Sequence, residues 1–568
     1  MAASSKADAT GSGPATGRTF TAKQSPLARC GGGWAILAWS LAALAAFPLI
    51  AVVGIALSPS GDVWAHLADT VLTRYLTTTL LLAFGVGIVV TAIGVGAGWL
   101  IAMHQFPGSR WFEWALLLPL AIPAYITGYV YSELLEYSGI VQSTLRTLFG
   151  WENPRDYWFP EVRSLEGAIA LFGIALYPYV YVLARAAFLA QGAGPLEAAR
   201  SLGAGPWQAF FRVALPLARP AIVAGAAVAM METLNDIAIP LHFGLQTFSV
   251  GVFDAWLHMG SAAAAAQLAL AMLALVACVM MLERWGRRGR GFAEVGRIGR
   301  KPKRRRLLGW HGWLATTLCL APVAVGFIAP AAHLVESAIG APESADGFLG
   351  LAANSVIMSA LAAVSALLVA LGLAYGYRLR PKRPLKLASR FANLGYGIPG
   401  AVLALGVLLP LAAFDNWLDG WMREAFGFGY GLLLTGSIAA LVFACTVRFL
   451  PLAHGSVEAG LERVTPSMDG AARTLGCGPL GALARVHAPL LRGSIFAALI
   501  LVFVDCMKEL PMTLLLRPFG FETLATHVYQ YASAEQLEAS ALSALTIVVV
   551  GLAPLIILSR VMDPTREQ

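Results

Sequence analysis

Charge is scarce in this sequence. Only 13% of its 568 residues are Asp, Glu, Lys or Arg, 58% are hydrophobic, and the mean hydropathy is +0.69. These values lie far outside the range of soluble globular domains and fit a polytopic membrane protein. Cysteine is sparse too: Cys30, Cys278, Cys319, Cys445, Cys477 and Cys506 stand singly, with no C-x-x-C pair. Neither a disulfide framework nor a zinc site follows from that spacing. Cys278, Cys319, Cys445 and Cys506 lie in apolar runs and read as small buried hydrophobes. No G-x-x-x-x-G-K-[ST] occurs, so the chain has no P-loop to cradle ATP phosphates. The nine histidines are dispersed without H-E-x-x-H or facial-triad spacing, and no Ser/His/Asp set stands out. Catalysis and a resident cofactor are therefore not expected. The formal charge is +8, yet no basic patch interleaves with aromatics, so a nucleic-acid partner is not expected either. Its basic residues sit in short loops between apolar runs, which is the positive-inside pattern.

Long apolar runs are what the chain does have. A hydrocarbon core about 30 Å thick takes roughly 20 apolar residues per spanning helix. Such runs lie near 34–57, 76–102, 112–135, 167–190, 219–240 and 264–282, and again near 310–335, 353–377, 391–413, 431–452, 493–516 and 540–560. The expected fold is an all-α polytopic membrane protein of about twelve transmembrane helices in two similar six-helix halves, 34–283 and 309–561. Between them, 284–308 carries eleven Lys/Arg from Arg284 to Arg306 against Glu294, and reads as a basic cytoplasmic linker. A disordered cytoplasmic tail at 1–33 and a short tail at 562–568 complete the division. With six spans per half, both termini fall inside.

The halves repeat each other. Gly203 pairs with Gly476, Gly205 with Gly478, Pro206 with Pro479 and Pro216 with Pro489, all at one constant spacing along the chain. A second, slightly longer spacing relates Ile122–Pro123 to Ile398–Pro399, and Gly244 and Thr247 to Gly520 and Thr523. Parallel repeats imply a pseudo-two-fold axis along the membrane normal, with a pathway where the repeats meet. In "EAARSLGAGPWQAFFRVALP" (197–216), Gly203 stands where a helix C-cap glycine would, and Pro206 opens a second helix. The segment reads as a knob of two short helices on a Gly turn, and "GAARTLGCGPLGALARVHAP" (470–489) as its copy. Ala198, Ala199 and Gly203 would let a partner approach closely.

The run Glu197-Ala198-Ala199, then Gly203 and Gly205, then Leu215-Pro216 resembles the EAA loop of binding-protein-dependent ABC importer permeases. In the second copy Ala471, Ala472, Gly476, Gly478 and Pro489 keep the pattern, while Gly470 replaces the Glu and Ala488 the Leu. "DCMKELPMTLLLRPFGFETLATHVYQYAS" (505–533) and "ETLNDIAIPLHFGLQTFSVGVFDAWLHMG" (232–260) are similar to the fused, two-half ferric-iron permeases, to which thiamine permeases are related. The resemblance covers roughly residues 70 to 560. It implies the MetI-like permease fold and a multi-pass protein of the bacterial inner membrane, embedded in its lipid. Two copies of a cytoplasmic ABC ATPase would dock on the knobs and carry ATP-Mg. An extracytoplasmic iron-binding protein would deliver Fe(III) as substrate, with no cofactor on this chain. Thiamine or another small organic solute is the alternative substrate. A secondary transporter driven by an ion gradient is the alternative class, and would not need paired knobs; a membrane-embedded enzyme or receptor is a weaker third reading.

Ionisable residues inside apolar spans are costly and face a partner or a watery path. Glu232 and Asp236 lie four residues apart on one helix face, and Asp505 and Glu509 are their copies. These four, expected in the outer part of the spans before Pro240 and Pro511, could form a quasi-symmetric acidic cluster beside the pathway, suited to a hard cation. On a structural reading, Lys508 could neutralise Glu509 or Asp505 and the group could brace broken helices; gating through rearranged ion pairs is the third reading. Tyr125, Tyr129 and Tyr131 read as packing or interfacial aromatics rather than ligands. The outer loop 137–165 suits contact with a binding protein or a capping role.

Overall fold

The computed structural model describes residues 32–192, 194–287, 304–340, 345–379, 383–393 and 395–562. The expected tail at 1–33, the linker at 284–308 and the end at 562–568 lie largely outside the described residues. Among the described residues, eleven helices are long and apolar enough to cross a membrane. Taken as one span, the broken pair Ser109–Ala121 with Ala124–Phe149, bent by 86°, makes a twelfth. The architecture is thus all-α and polytopic, and each expected run contains a span.

Two runs are broken at an Ile-Pro step, for one physical reason. Near 112–135 and 391–413 the chain makes a short helix, a tight 3₁₀ turn (Leu118–Ala121 and Gly395–Gly397) and then a new helix after Pro123 or Pro399. Proline lacks the N–H that would continue the helix and disfavours helical geometry in the residue before it. In the second half the short piece, Arg383–Ala392, is amphipathic, and the span itself is Gly400–Phe426.

The duplication extends to individual hydrogen bonds. Thr79 Oγ1 accepts from the Phe248 N–H at 3.1 Å, and Ser355 Oγ accepts from the Leu524 N–H at 2.8 Å. Both partners of the second bond are the copies of the first at the longer repeat spacing. The two halves also interlock. Gly32–Ala56 packs on Ala345–Leu379, Arg383–Ala392 and Gly400–Phe426 of the other half. Trp310–Val323 packs on Leu72–Met103 and Ser109–Ala115, and Ala329–Gly340 on Ala124–Leu135. Each first span thus bridges the halves, packing on the other half and also on the last helix of its own, Ala262–Arg287 or Ala541–Met562, and the apolar cores mix residues of both.

The glycines of 85–99 set how closely the main pair approaches. Leu72–Met103 lies along Leu165–Ala190 so tightly that a Cβ on Gly94 would stand 2.7 Å from Val180 Cβ and 2.8 Å from the Tyr181 backbone nitrogen. Small residues allow such approach where water offers no hydrophobic drive between helices.

Candidate functional site: an acidic pocket between the halves and two knobs at one end

The carboxylates expected on the pathway converge. Helix Leu215–Asn235 ends before Pro240, and a short helix, Ala238–His242, follows; Ala488–Met507 and Pro511–Leu516 repeat this in the other half. Pro240 cannot donate to the carbonyl four residues back, and Ser249 Oγ donates to that Asp236 carbonyl instead, at 3.0 Å. At the breaks the acids turn inward. Glu232, Asp236, Asp505, Lys508 and Glu509 all line one cavity of about 160 Å³, walled by both halves. Ile122, Tyr125, Tyr179, Asn235 and Arg448 are also part of its wall.

Within this pocket bracing and exposure to the cavity coexist. Asp236 Oδ1 accepts from the Ile239 N–H at 2.9 Å, and Glu509 accepts from the Met512 N–H at 3.2 Å. The same contact, made by repeat-related residues, caps the short helix after each break, where a carboxylate meets unpaired N–H groups. Lys508 pairs with Asp505 at 3.2 Å, while Glu509 faces Arg448 at 3.6 Å. Arg448 was missed by sequence reasoning, although one signal was available: a guanidinium inside an apolar span needs a partner. The repeat-related position in the first half is Ala175, so the pair has no copy. Among the described residues no group of three or more His, Cys, Asp and Glu side chains is placed to hold a metal ion.

The second feature is the pair of knobs. An even number of crossings separates them, so both stand at the same end of the bundle. Gly194–Ser201 and Pro466–Thr474 are short helices that close in the left-handed region at Gly203 (φ +85°) and Gly476 (φ +78°). In both, the amide after the glycine reaches back to the same place in its helix: Ala204 N–H to the Ala199 carbonyl and Cys477 N–H to the Ala472 carbonyl, each 3.0 Å. Gly205 and Gly478 then precede Pro206 and Pro479 at the first turn of the next helix. Pro216 and Pro489 lack the N–H that would close an α turn, and the stretches leading to them, Phe210–Ala214 and Leu483–His487, each form a π turn. Leu215 follows the first of these turns.

Exposure sorts the knob residues. Glu197, Ala198 and Ala471 face outward, while Ala199 is half-buried and Ala472 buried, so only part of the small-residue surface is available. Leu202 and Leu475, at matching places before the turns, are 88% and 82% exposed. Exposed apolar side chains at the tip of a projecting element mark a surface built for contact.

The two knobs are held differently. Leu196 is buried under the first. Its counterpart is Asp469, which accepts from Arg378 at 2.9 Å and lies 2.7 Å from His487 Nε2. Arg378 also donates to the Leu461 and Val464 carbonyls, and Tyr375 OH to the Pro479 carbonyl at 2.7 Å. Asp469 therefore braces its knob from within and does not replace the outward Glu197.

The tyrosines divide. Tyr131 OH donates to the Val325 carbonyl at 2.6 Å, a packing role. Tyr125 and Tyr129 are buried with hydroxyls that have no hydrogen-bond partner among the described residues. The loop 137–165 carries helix Ile140–Phe149 and closes on Arg163, which pairs with Glu136 at 2.5 Å and with Glu535 of the other half at 3.0 Å.

Comparison with known proteins agrees with this geometry. The chain is 23% identical over 492 residues to the Fe(3+)-transport system permease protein FbpB 2 of Haemophilus influenzae, covering 85% of this chain and 89% of that protein. It is 28% identical over 150 residues to the molybdenum transport system permease protein ModB of Escherichia coli, 26% of this chain and 62% of that protein. It is 25% identical over 193 residues to the sulfate transport system permease protein CysT of Escherichia coli, 33% of this chain and 62% of that protein. The family described as binding-protein-dependent transport system inner membrane component matches twice, over 94–290 and 366–568, once in each half. With two matched halves around one pathway and more than half of its length covered, the chain belongs to that family: it is a multi-pass, non-catalytic permease subunit of an ABC importer.

Proposed function

We propose that this permease carries ferric iron across a bacterial inner membrane, with both termini and both knobs on the cytoplasmic side. One observation carries the reading: Glu232, Asp236, Asp505 and Glu509, from two halves, line one pocket where the halves meet. Against Lys508 and Arg448 the carboxylates are in surplus, and Fe(III), a hard cation, prefers oxygen donors. Similarity along most of both chains to a protein named for Fe(3+) transport supports the same substrate.

In this reading an extracytoplasmic binding protein delivers iron at the end opposite the knobs. Two ATPase subunits grip the surfaces around Glu197, Ala198, Leu202 and Gly203, and around Ala471, Leu475 and Gly476. ATP-Mg stays on those subunits. Their closure moves each knob against the membrane, and the π turns before Pro216 and Pro489 pass that movement to the helices bearing the carboxylates. The halves rock about the pocket, which opens to one side and then the other.

A second reading, an oxyanion substrate, draws on the partial likeness to the molybdenum and sulfate permeases. The acid surplus of the pocket weighs against it, since like charges repel in a low-dielectric site. The test is uptake of labelled Fe(III), molybdate, sulfate or thiamine into proteoliposomes holding the chain with its ATPase and binding protein. ATP-dependent uptake of iron alone supports the proposal. Uptake of molybdate, sulfate or thiamine instead keeps the machine and replaces the substrate. Uptake without ATP overturns the coupling.

A further inference from the structure

One face of one helix joins two cavities with unsatisfied oxygen atoms. Tyr125 and Tyr129 stand one helical turn apart in Ala124–Leu135, and Ser132 and Glu133 continue that face. Tyr125 lines the acidic pocket described above. Tyr129, Ser132 and Glu133 line a second cavity, of about 630 Å³, that also holds Arg163. Arg163 stands just before Leu165–Ala190, whose 26 residues span about 39 Å, so this cavity lies at the end of the bundle away from the knobs.

Tyr129 and Ser132 are each 2% exposed, and among the described residues neither hydroxyl has a hydrogen-bond partner; the Tyr125 hydroxyl has none there either. The His242 ring packs on Tyr129 with centroids 4.8 Å apart, and its Nε2 has no hydrogen-bond partner among the described residues. A buried hydroxyl without a partner destabilises the fold. Phenylalanine at 125 and 129 would fill the same space without that penalty, as the bonded hydroxyl of Tyr131 makes plain by contrast. The outer cavity is lined by Glu133, Glu136, Glu336, Glu535 and Glu538 against Arg163, His242 and His333, with Glu133 Oε2 3.3 Å from His333 Nε2. Glu535 is, among the described residues, the one non-glycine with a left-handed backbone (φ +59°), a conformation held only where surrounding structure enforces it.

We propose that the Tyr125–Tyr129–Ser132 face is a transit site for a hard trivalent cation, which moves from the outer cavity to the central pocket by exchanging water for hydroxyl and carboxylate oxygens. The site rests on the ferric-iron reading and deepens it. Transit demands sites that release as well as bind.

The experiment compares Tyr125→Phe, Tyr129→Phe and Tyr131→Phe in proteoliposomes with the ATPase and binding protein, reading labelled Fe(III) uptake and the unfolding temperature. Tyr129→Phe and Tyr125→Phe should each lower uptake about tenfold, the scale of one lost polar contact, while the unfolding temperature holds or rises. Tyr131→Phe should lower the unfolding temperature and leave uptake per folded molecule unchanged. Wild-type uptake in the Tyr125 and Tyr129 variants, or a lowered unfolding temperature in them, would overturn the transit site. If the unaltered chain carries no iron, the substrate reading falls and the site with it; iron carried equally by the Phe variants removes the site alone.

Discussion

Replacing Gly203 or Gly476 separates two uses a glycine can have. Each holds a strongly positive φ at the end of a knob helix, where an L residue with a Cβ is strained. Around each, a Cβ would meet nothing within 4 Å among the described residues, so crowding from them contributes no cost. What remains is the backbone term, about 1–2 kcal/mol for a non-glycine in the left-handed region. Its effect falls on the bonds that close the turns, Ala204 N–H to the Ala199 carbonyl and Cys477 N–H to the Ala472 carbonyl. Gly203→Ala and Gly476→Ala should therefore open their turns about 5–30 times more often. Hydrogen–deuterium exchange at the amides of Ala204 and Cys477 in lipid nanodiscs reads that factor directly. Asparagine tolerates the left-handed region, so Gly203→Asn should exchange close to wild type. Unchanged exchange in both Ala variants would refute the conformational argument. Exchange near wild type in Gly203→Asn together with lost coupling to ATP hydrolysis would show that the glycine serves close approach of a partner.

Three further outcomes are expected. Arg448→Ala leaves Glu509 buried without its guanidinium and should cost about 3–5 kcal/mol; thermal unfolding measures this, and recovery in Arg448→Met/Glu509→Gln would confirm that the stranded charge is the cause. Gly94→Ala drives a methyl into Val180 and the Tyr181 backbone, and should destabilise by about 1–3 kcal/mol in denaturant titration; a silent substitution would refute the close packing of that helix pair. Asp469→Leu installs the residue of the first knob in the second and strips Arg378 and His487 of their shared carboxylate. It should speed amide exchange over 469–477 by a factor corresponding to about 1–3 kcal/mol, with 196–204 unaffected.

The readable parts of this molecule were those governed by local chemistry. Each span follows from about 20 apolar residues in sequence, a property that needs no knowledge of neighbours. The knob turns were legible because Gly203 and Pro206, repeated at Gly476 and Pro479, each favour one backbone geometry. The carboxylates were suspected because an acid in an apolar run must find a partner. Less legible was how they are held: Asp236 and Glu509 cap short helices whose existence depends on Pro240 and Pro511 interrupting otherwise plausible spans. Tyr125, Tyr129 and Tyr131 were alike in sequence, and only their surroundings separated one bonded hydroxyl from two unbonded ones.

By itself the sequence determined the membrane class, the number of spans, the internal repeat and the two projecting turns, because hydropathy and the conformations of glycine and proline act over a few residues. Tertiary structure decided what meets what. It placed Arg448 against Glu509, set Asp469 inside its knob rather than on the knob's surface, laid each first span across both halves and joined the acids of both halves in one pocket. Those contacts link residues far apart in the chain. Their free energies depend on packing and on the low dielectric between helices, which exist only once the halves have come together.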